Sequence, residues 1–283
     1  MKAVTSTLLL VLLVGCGGDS DSRTESKRGR PDSGTQSRRI APPVVDTRKT
    51  ERTIHVFVAL CDNKSQGIVP VSKVLGNGDD PRNNLYWGAM YGTKTFLKRS
   101  GSWDVVIAVE DVTDSVLERV VLKHRSTGAY LVADAYRGNR IKDAVEAFLD
   151  AAAGNKPVVL EVDGVAIGTH GRANLVAYVG HNGLMDFDVP RPRRRRDSTS
   201  GPAAIVLACK SKPYFQATLT KLGCRPMLLT TGLMAPEAYT LAAALEAWLL
   251  GKDASGLRDS AAKAYHKYQK CGMRGARRLF HAE

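Results

Sequence analysis

From residue 53 to the C-terminus, short apolar runs alternate with stretches of helical period. "IHVFVAL" (54–60), "WDVVIAVE" (103–110), "VAYVG" (176–180), "AIVLA" (204–208) and "RPMLLTT" (225–231) are apolar, β-branched runs of strand length bounded by turn residues, and each predicts a strand. "AYLVADAY" (129–136) reads as extended and "DGVAIGT" (163–169) as a poorer strand. Asp80-Pro81 opens a predicted amphipathic helix through "LYWGAMYGTKTFLKR", and "DSVLERVVLKHR" (114–125) reads as a second helix. "IKDAVEAFLDAAAG" is a third, stopped by Gly154; others run from Pro213 to about Leu222, through "APEAYTLAAALEAWLLG", and through "SAAKAYHKYQKCG". Strands alternating with helices predict an α/β fold, a mostly parallel sheet with helices on both faces. In such sheets ligands bind at the carboxyl ends of the strands. Cys61, His181 and Cys209 all fall at such ends.

The first 52 residues follow none of this pattern. "MKAVTSTLLLVLLVGC" has a Lys behind the initiator, an apolar stretch too short to span a bilayer, and then small residues. "LVGC" resembles the bacterial lipobox, which implies that residues 1–15 are a signal peptide and that Cys16 becomes a lipidated first residue. Gly17 stands where enteric lipoproteins held at the inner membrane carry Asp, which points to the outer membrane. Residues 16–52 are Gly, Ser, Pro and charge with little to bury, a disordered tether to a domain at 53–283.

Charge changes this picture little. Of the net +13, residues 1–52 (ten Lys/Arg, six Asp/Glu) and residues 191–197 (five Arg, one Asp) carry eight. "RPRRRR" has no aromatic neighbour, so its composition disfavours nucleic acid and suits attraction to an anionic lipid surface.

Chemistry enters at the strand ends. "VAYVGHNGLMDF" runs an apolar strand into Gly180, His181, Asn182 and Gly183, and "AIVLACKSKPYF" runs another into Cys209. Pro213 suits a first helical turn, so Cys209 precedes a helix N-terminus and is flanked by Lys210 and Lys212, surroundings that favour a thiolate. If the two strands are neighbours, His181 can exchange the proton.

An apolar strand ending in His-Gly, followed by one ending in Ala-Cys, resembles the caspase-like cysteine peptidases: caspases, metacaspases, gingipains, legumains and CHAT domains. The motif-bearing likeness covers about residues 176–215. It implies a caspase-like three-layer sandwich and a catalytic dyad of His181 and Cys209, with an oxyanion hole from the backbone amides of Asn182, Gly183 and Cys209. The family places Gly directly after the His; here Asn182 intervenes. The family's parallel strands are joined by a helical crossover, and here Pro190, Pro192, Pro202 and the arginines predict an irregular loop. In metacaspase-like members an Asp near the first strand end helps bind a basic substrate side chain. Asp62 occupies that place, beside the alternative that it only forms a turn, and Asp186 is a second acid at the strand ends. The resemblance thus implies an endopeptidase acting on a protein or peptide substrate, with cleavage after basic residues and self-cleavage within 193–196 as its boldest form. No cofactor is expected, and no metal-binding spacing, phosphate loop or Gly-x-Ser-x-Gly elbow occurs.

The rival reading is a non-catalytic envelope binding lipoprotein, using the strand-end cleft and the aromatics Tyr86, Trp87 and Tyr91. His170-Gly171 is a second His-Gly pair, at the opposite end of the strand that leads to His181, and reads as a turn. Cys61, Cys209, Cys224 and Cys271 are even in number; pairing Cys224 with Cys271 leaves Cys209 free.

Overall fold

The structure, a computed structural model, describes residues 50–195 and 201–283. The expected signal peptide, Cys16, the tether to residue 49, and Arg196 and Asp197 of the basic run lie outside the described residues. An eight-stranded sheet forms the centre. Its strands are β1 (Thr53–Ala59), β2 (Trp103–Glu110), β3 (Val116–His124), β4 (Tyr130–Tyr136), β7 (Leu175–Val179), β8 (Ala203–Leu207), β9 (Arg225–Thr230) and β10 (Phe280–His281). The order across it is β10-β9-β8-β7-β1-β4-β3-β2. β4, β1, β7, β8 and β9 pair in parallel, and both edges are antiparallel. β5 (Val158–Val162) and β6 (Val165–Thr169) form a separate hairpin.

The central strands are buried throughout because helices cover both faces, which is why they read as unbroken apolar runs. On one face Val56, Val58, Ala177 and Ile205 pack with α1 (Thr93–Arg99), α4 (Ala238–Leu249) and α5 (Ala254–Gln269). On the other, Phe57, Val176, Tyr178 and Val206 pack with α2 (Ile141–Ala152) and α3 (Ser211–Lys221). The fold is therefore α/β with a largely parallel sheet between two helical layers. A last short helix, α6 (Met273–Leu279), leads into β10. No helix of the described residues is long and apolar enough to cross a membrane.

Two helix predictions are corrected. Residues 116–124 are β3, not a helix. Its helix-like pattern came from Glu118 and Arg119 between apolar residues, and both charges are paired. Glu118 accepts from the Trp87 indole (2.7 Å) and Lys94 (2.7 Å) on one face, and Arg119 grips Asp134 on the other. The predicted helix from Pro81 survives only as α1; residues 81–92 fold as turns around Asn84. The buried Asn84 amide donates to Cys61 O and Asn77 O and accepts from Cys61 N–H, fastening this stretch to the end of β1.

Candidate active site

β7 and β8 are direct parallel neighbours, with Val179 opposite Leu207, and the pairing continues past both strands as Gly180 N–H donates to Leu207 O (3.2 Å). His181 and Cys209 therefore leave adjacent strands at the same end of the sheet, each two residues past its strand. The connection between them is irregular, as its prolines and arginines predict: among its described residues only Gly183–Met185 form a helical turn. Gly180 has φ 145°, and a Cβ there would lie 2.8 Å from Ala59 O. Glycine thus lets the chain turn away from β1 and aim His181 at the strand ends. Asn182 needs no left-handed backbone (φ −80°). Its buried side chain donates to Cys209 O (2.8 Å) and accepts from Leu184 N–H (3.2 Å), so it ties the two strand ends together.

The imidazole is nearly enclosed, and its Nε2 lies 2.6 Å from Asp186 Oδ2. Asp186, expected on the substrate side, is thus the partner of the imidazole. Cys209 is half-buried and sits one residue before Lys210, whose left-handed backbone (φ 49°) opens α3. Its thiol is held by Met234, accepting from N–H (3.4 Å) and donating to O (3.5 Å). No hydrogen bond joins Cys209 to His181; each is held by its own partner, an arrangement common in sites that close only on substrate.

Of the three amides expected in the oxyanion hole, Gly183 N–H is taken by His181 O (3.1 Å). The N–H groups of Asn182 and Cys209 have no acceptor among the described residues. Asp62 lies three residues past β1, is buried, and is spent largely on its own turn: Lys64 N–H donates to Oδ1 (2.9 Å) and the Ser65 hydroxyl to Oδ2 (2.6 Å). A carboxylate has about four acceptor positions, so two remain. The aromatics of the binding-module reading are mostly interior. Trp87 is fully buried, Tyr86 nearly so, and Tyr91 packs against Tyr239 and Tyr268.

The other thiols are poor nucleophiles or lie elsewhere. All four are free. The Cys224–Cys271 pairing that would leave Cys209 free is not made: the buried Cys224 thiol donates to Pro202 O (2.9 Å), and Cys271 is exposed. Burial pushes the Cys61 thiol up to about 11 and the Cys224 thiol up to about 12.

Sequence reading missed a second polar cluster. The ligand atoms of His55, Asp134 and His170 lie within 4.8 Å of one another. His55 Nε2 meets Asp134 Oδ2 (3.0 Å), its Nδ1 accepts from His170 N–H (3.0 Å), and Arg119 donates to both Asp134 oxygens (2.6 and 2.7 Å). Both ring nitrogens of His55 are used, and the Arg119 guanidinium already neutralises the carboxylate, so the cluster suits a structural network better than a cation. His170-Gly171 is a turn, as read, and its backbone amide serves this network. The missed signal was a His and an Asp inside apolar strands, where a polar side chain needs a partner.

Comparison of the chain with protein families, with curated proteins and with solved structures finds no match in any of the three.

Proposed function

We propose that this chain is a lipid-anchored cysteine endopeptidase of a bacterial cell envelope, with His181 and Cys209 as its dyad and a caspase-like ancestry. One observation carries the reading: an imidazole backed by a carboxylate and a half-buried thiol leave adjacent central strands at the carboxyl end of the sheet, beside two amides without acceptors among the described residues. In the reaction His181 takes the thiol proton and the thiolate attacks the peptide carbonyl. The N–H groups of Asn182 and Cys209 receive the oxyanion, and His181 returns its proton to the leaving amine. Water, deprotonated by His181, then hydrolyses the thioester and frees the thiol.

An iodoacetamide probe tests the nucleophile. Cys209 should be alkylated at neutral pH well ahead of Cys61 and Cys224, and His181→Ala should slow that labelling by about tenfold or more. Labelling of Cys209 no faster than a model thiol would favour the non-catalytic binding lipoprotein, a reading supported by the Sγ contact with Met234. Reporter peptides ending in Arg, Lys, Asp or Asn test specificity. The place of Asp62 near the strand ends favours basic residues, and an acidic preference would remove that assignment.

The anchor is tested separately. Cys16→Ser should release the protein from the membrane fraction, the outer membrane by the absence of Asp at position 17, and abolish incorporation of labelled palmitate. An acylated, membrane-bound Cys16→Ser product would defeat it.

A further inference from the structure

The sequence between His181 and Asp186 is built to return the acid onto the ring. Gly183 O accepts from both Asp186 N–H (2.9 Å) and Phe187 N–H (3.0 Å), closing a single tight turn. Asn182 holds the near side of that turn through Leu184 N–H. On the far side the Phe187 ring packs into the core beneath α2, so close to Gly183 that a Cβ there would lie 2.5 Å from the ring. The Asp186 backbone is therefore fixed although its side chain is 38% exposed. A second element reaches the same carboxylate: Gly67 N–H, on the loop after β1, approaches Oδ2 at 3.4 Å, and a Cβ at Gly67 would lie 3.0 Å from Oδ1.

An ionised carboxylate only accepts, so at the 2.6 Å contact the proton belongs to Nε2. The other nitrogen, Nδ1, has no hydrogen-bond partner among the described residues. We infer that Asp186 is the positioning residue of this site, holding His181 in the Nε2–H tautomer so that Nδ1 is the atom that takes the Cys209 proton. When the thiol proton moves to Nδ1, the imidazolium keeps Asp186 as its counter-ion and the thiolate is left free to attack. No other bond is made or broken at this step. The inference rests on the dyad proposed above, but its tautomer claim can be measured without turnover.

Two readouts test it on the intact folded protein. In ¹⁵N NMR spectra recorded across a pH series, the neutral form of wild-type His181 should show a protonated Nε2 and an unprotonated Nδ1. Asp186→Ala should reduce the Nε2–H form to the mixed population of a free imidazole. With reporter peptide, Asp186→Ala should lower kcat by about 10- to 100-fold with KM changed less than about threefold, and Asp186→Glu should recover part of the loss. A merely structural ion pair would leave tautomer and kcat alike in the variant, and that result overturns the inference. A loss confined to KM overturns it too, because it would return Asp186 to the substrate side. If wild-type protein shows no Cys209-dependent turnover, the dyad reading fails, while the tautomer measurement still decides whether Asp186 sets the ring.

Discussion

Cys209→Ala and His181→Ala should each reduce peptide hydrolysis by on the order of 10⁴-fold or more, and the double variant should be scarcely slower than either single one. The near-equality follows from the proposed mechanism, in which the thiol does nothing useful until the imidazole accepts its proton. Both side chains lie past the carboxyl ends of central strands rather than in the layer between strands and helices, so circular dichroism and melting temperature should stay close to wild type. Independent residues would multiply their losses in the double variant. Full activity in Cys209→Ala would place the chemistry elsewhere. Cys61 does not offer a substitute, because burial holds its thiol protonated at neutral pH.

Asp134→Ala should destabilise the domain by about 3–5 kcal/mol, because it strands the mostly buried Arg119 guanidinium and the fully buried His55 donor together. Thermal melts should show a drop on the order of 10 °C. The same network predicts acid sensitivity. Burial pushes His55 down, and burial with the neighbouring His55 pushes His170 down to about 3. Burial alone would raise the Asp134 carboxyl, but the hydrogen bonds and charges of Arg119 and His55 overcome it and hold it well below the usual carboxylate range. All three groups have folded values below their unfolded ones, so acid protonates the unfolded chain first. Their stabilisation is complete above about pH 6.5 and is lost as pH falls, first through the histidines and then, below about pH 4, through Asp134. His170→Asn, which tolerates the left-handed backbone at φ 52°, should flatten the decline between about pH 6 and pH 3. A melting temperature constant from pH 7 to pH 4 would contradict this account.

The apolar runs at 54–60, 176–180 and 204–208 determined the central strands by themselves, because a parallel strand covered on both faces must be apolar at every position. They also determined where His181 and Cys209 stand, since each is the first side chain able to act where its run stops. The β5–β6 hairpin was not read, although its turn carried a local signal: Asp163-Gly164, both at positive φ (49° and 75°), is the two-residue turn that matches the twist of paired strands. The tertiary structure alone decided three things. β3 is a strand because Glu118 and Arg119 find partners on opposite faces, a long-range pairing that no local period encodes. Residues 81–92 are turns because Asn84 binds the end of β1, 23 residues away in the chain. And Asp186 faces the imidazole because a five-residue return is fixed by Asn182 and Phe187, whose contacts lie in β8's extension and in the core under α2. Strand and helix follow from which residues can be buried, a property carried along the chain. The partner of a charge depends on what the folded sheet brings beside it, and only the assembled layers supply that.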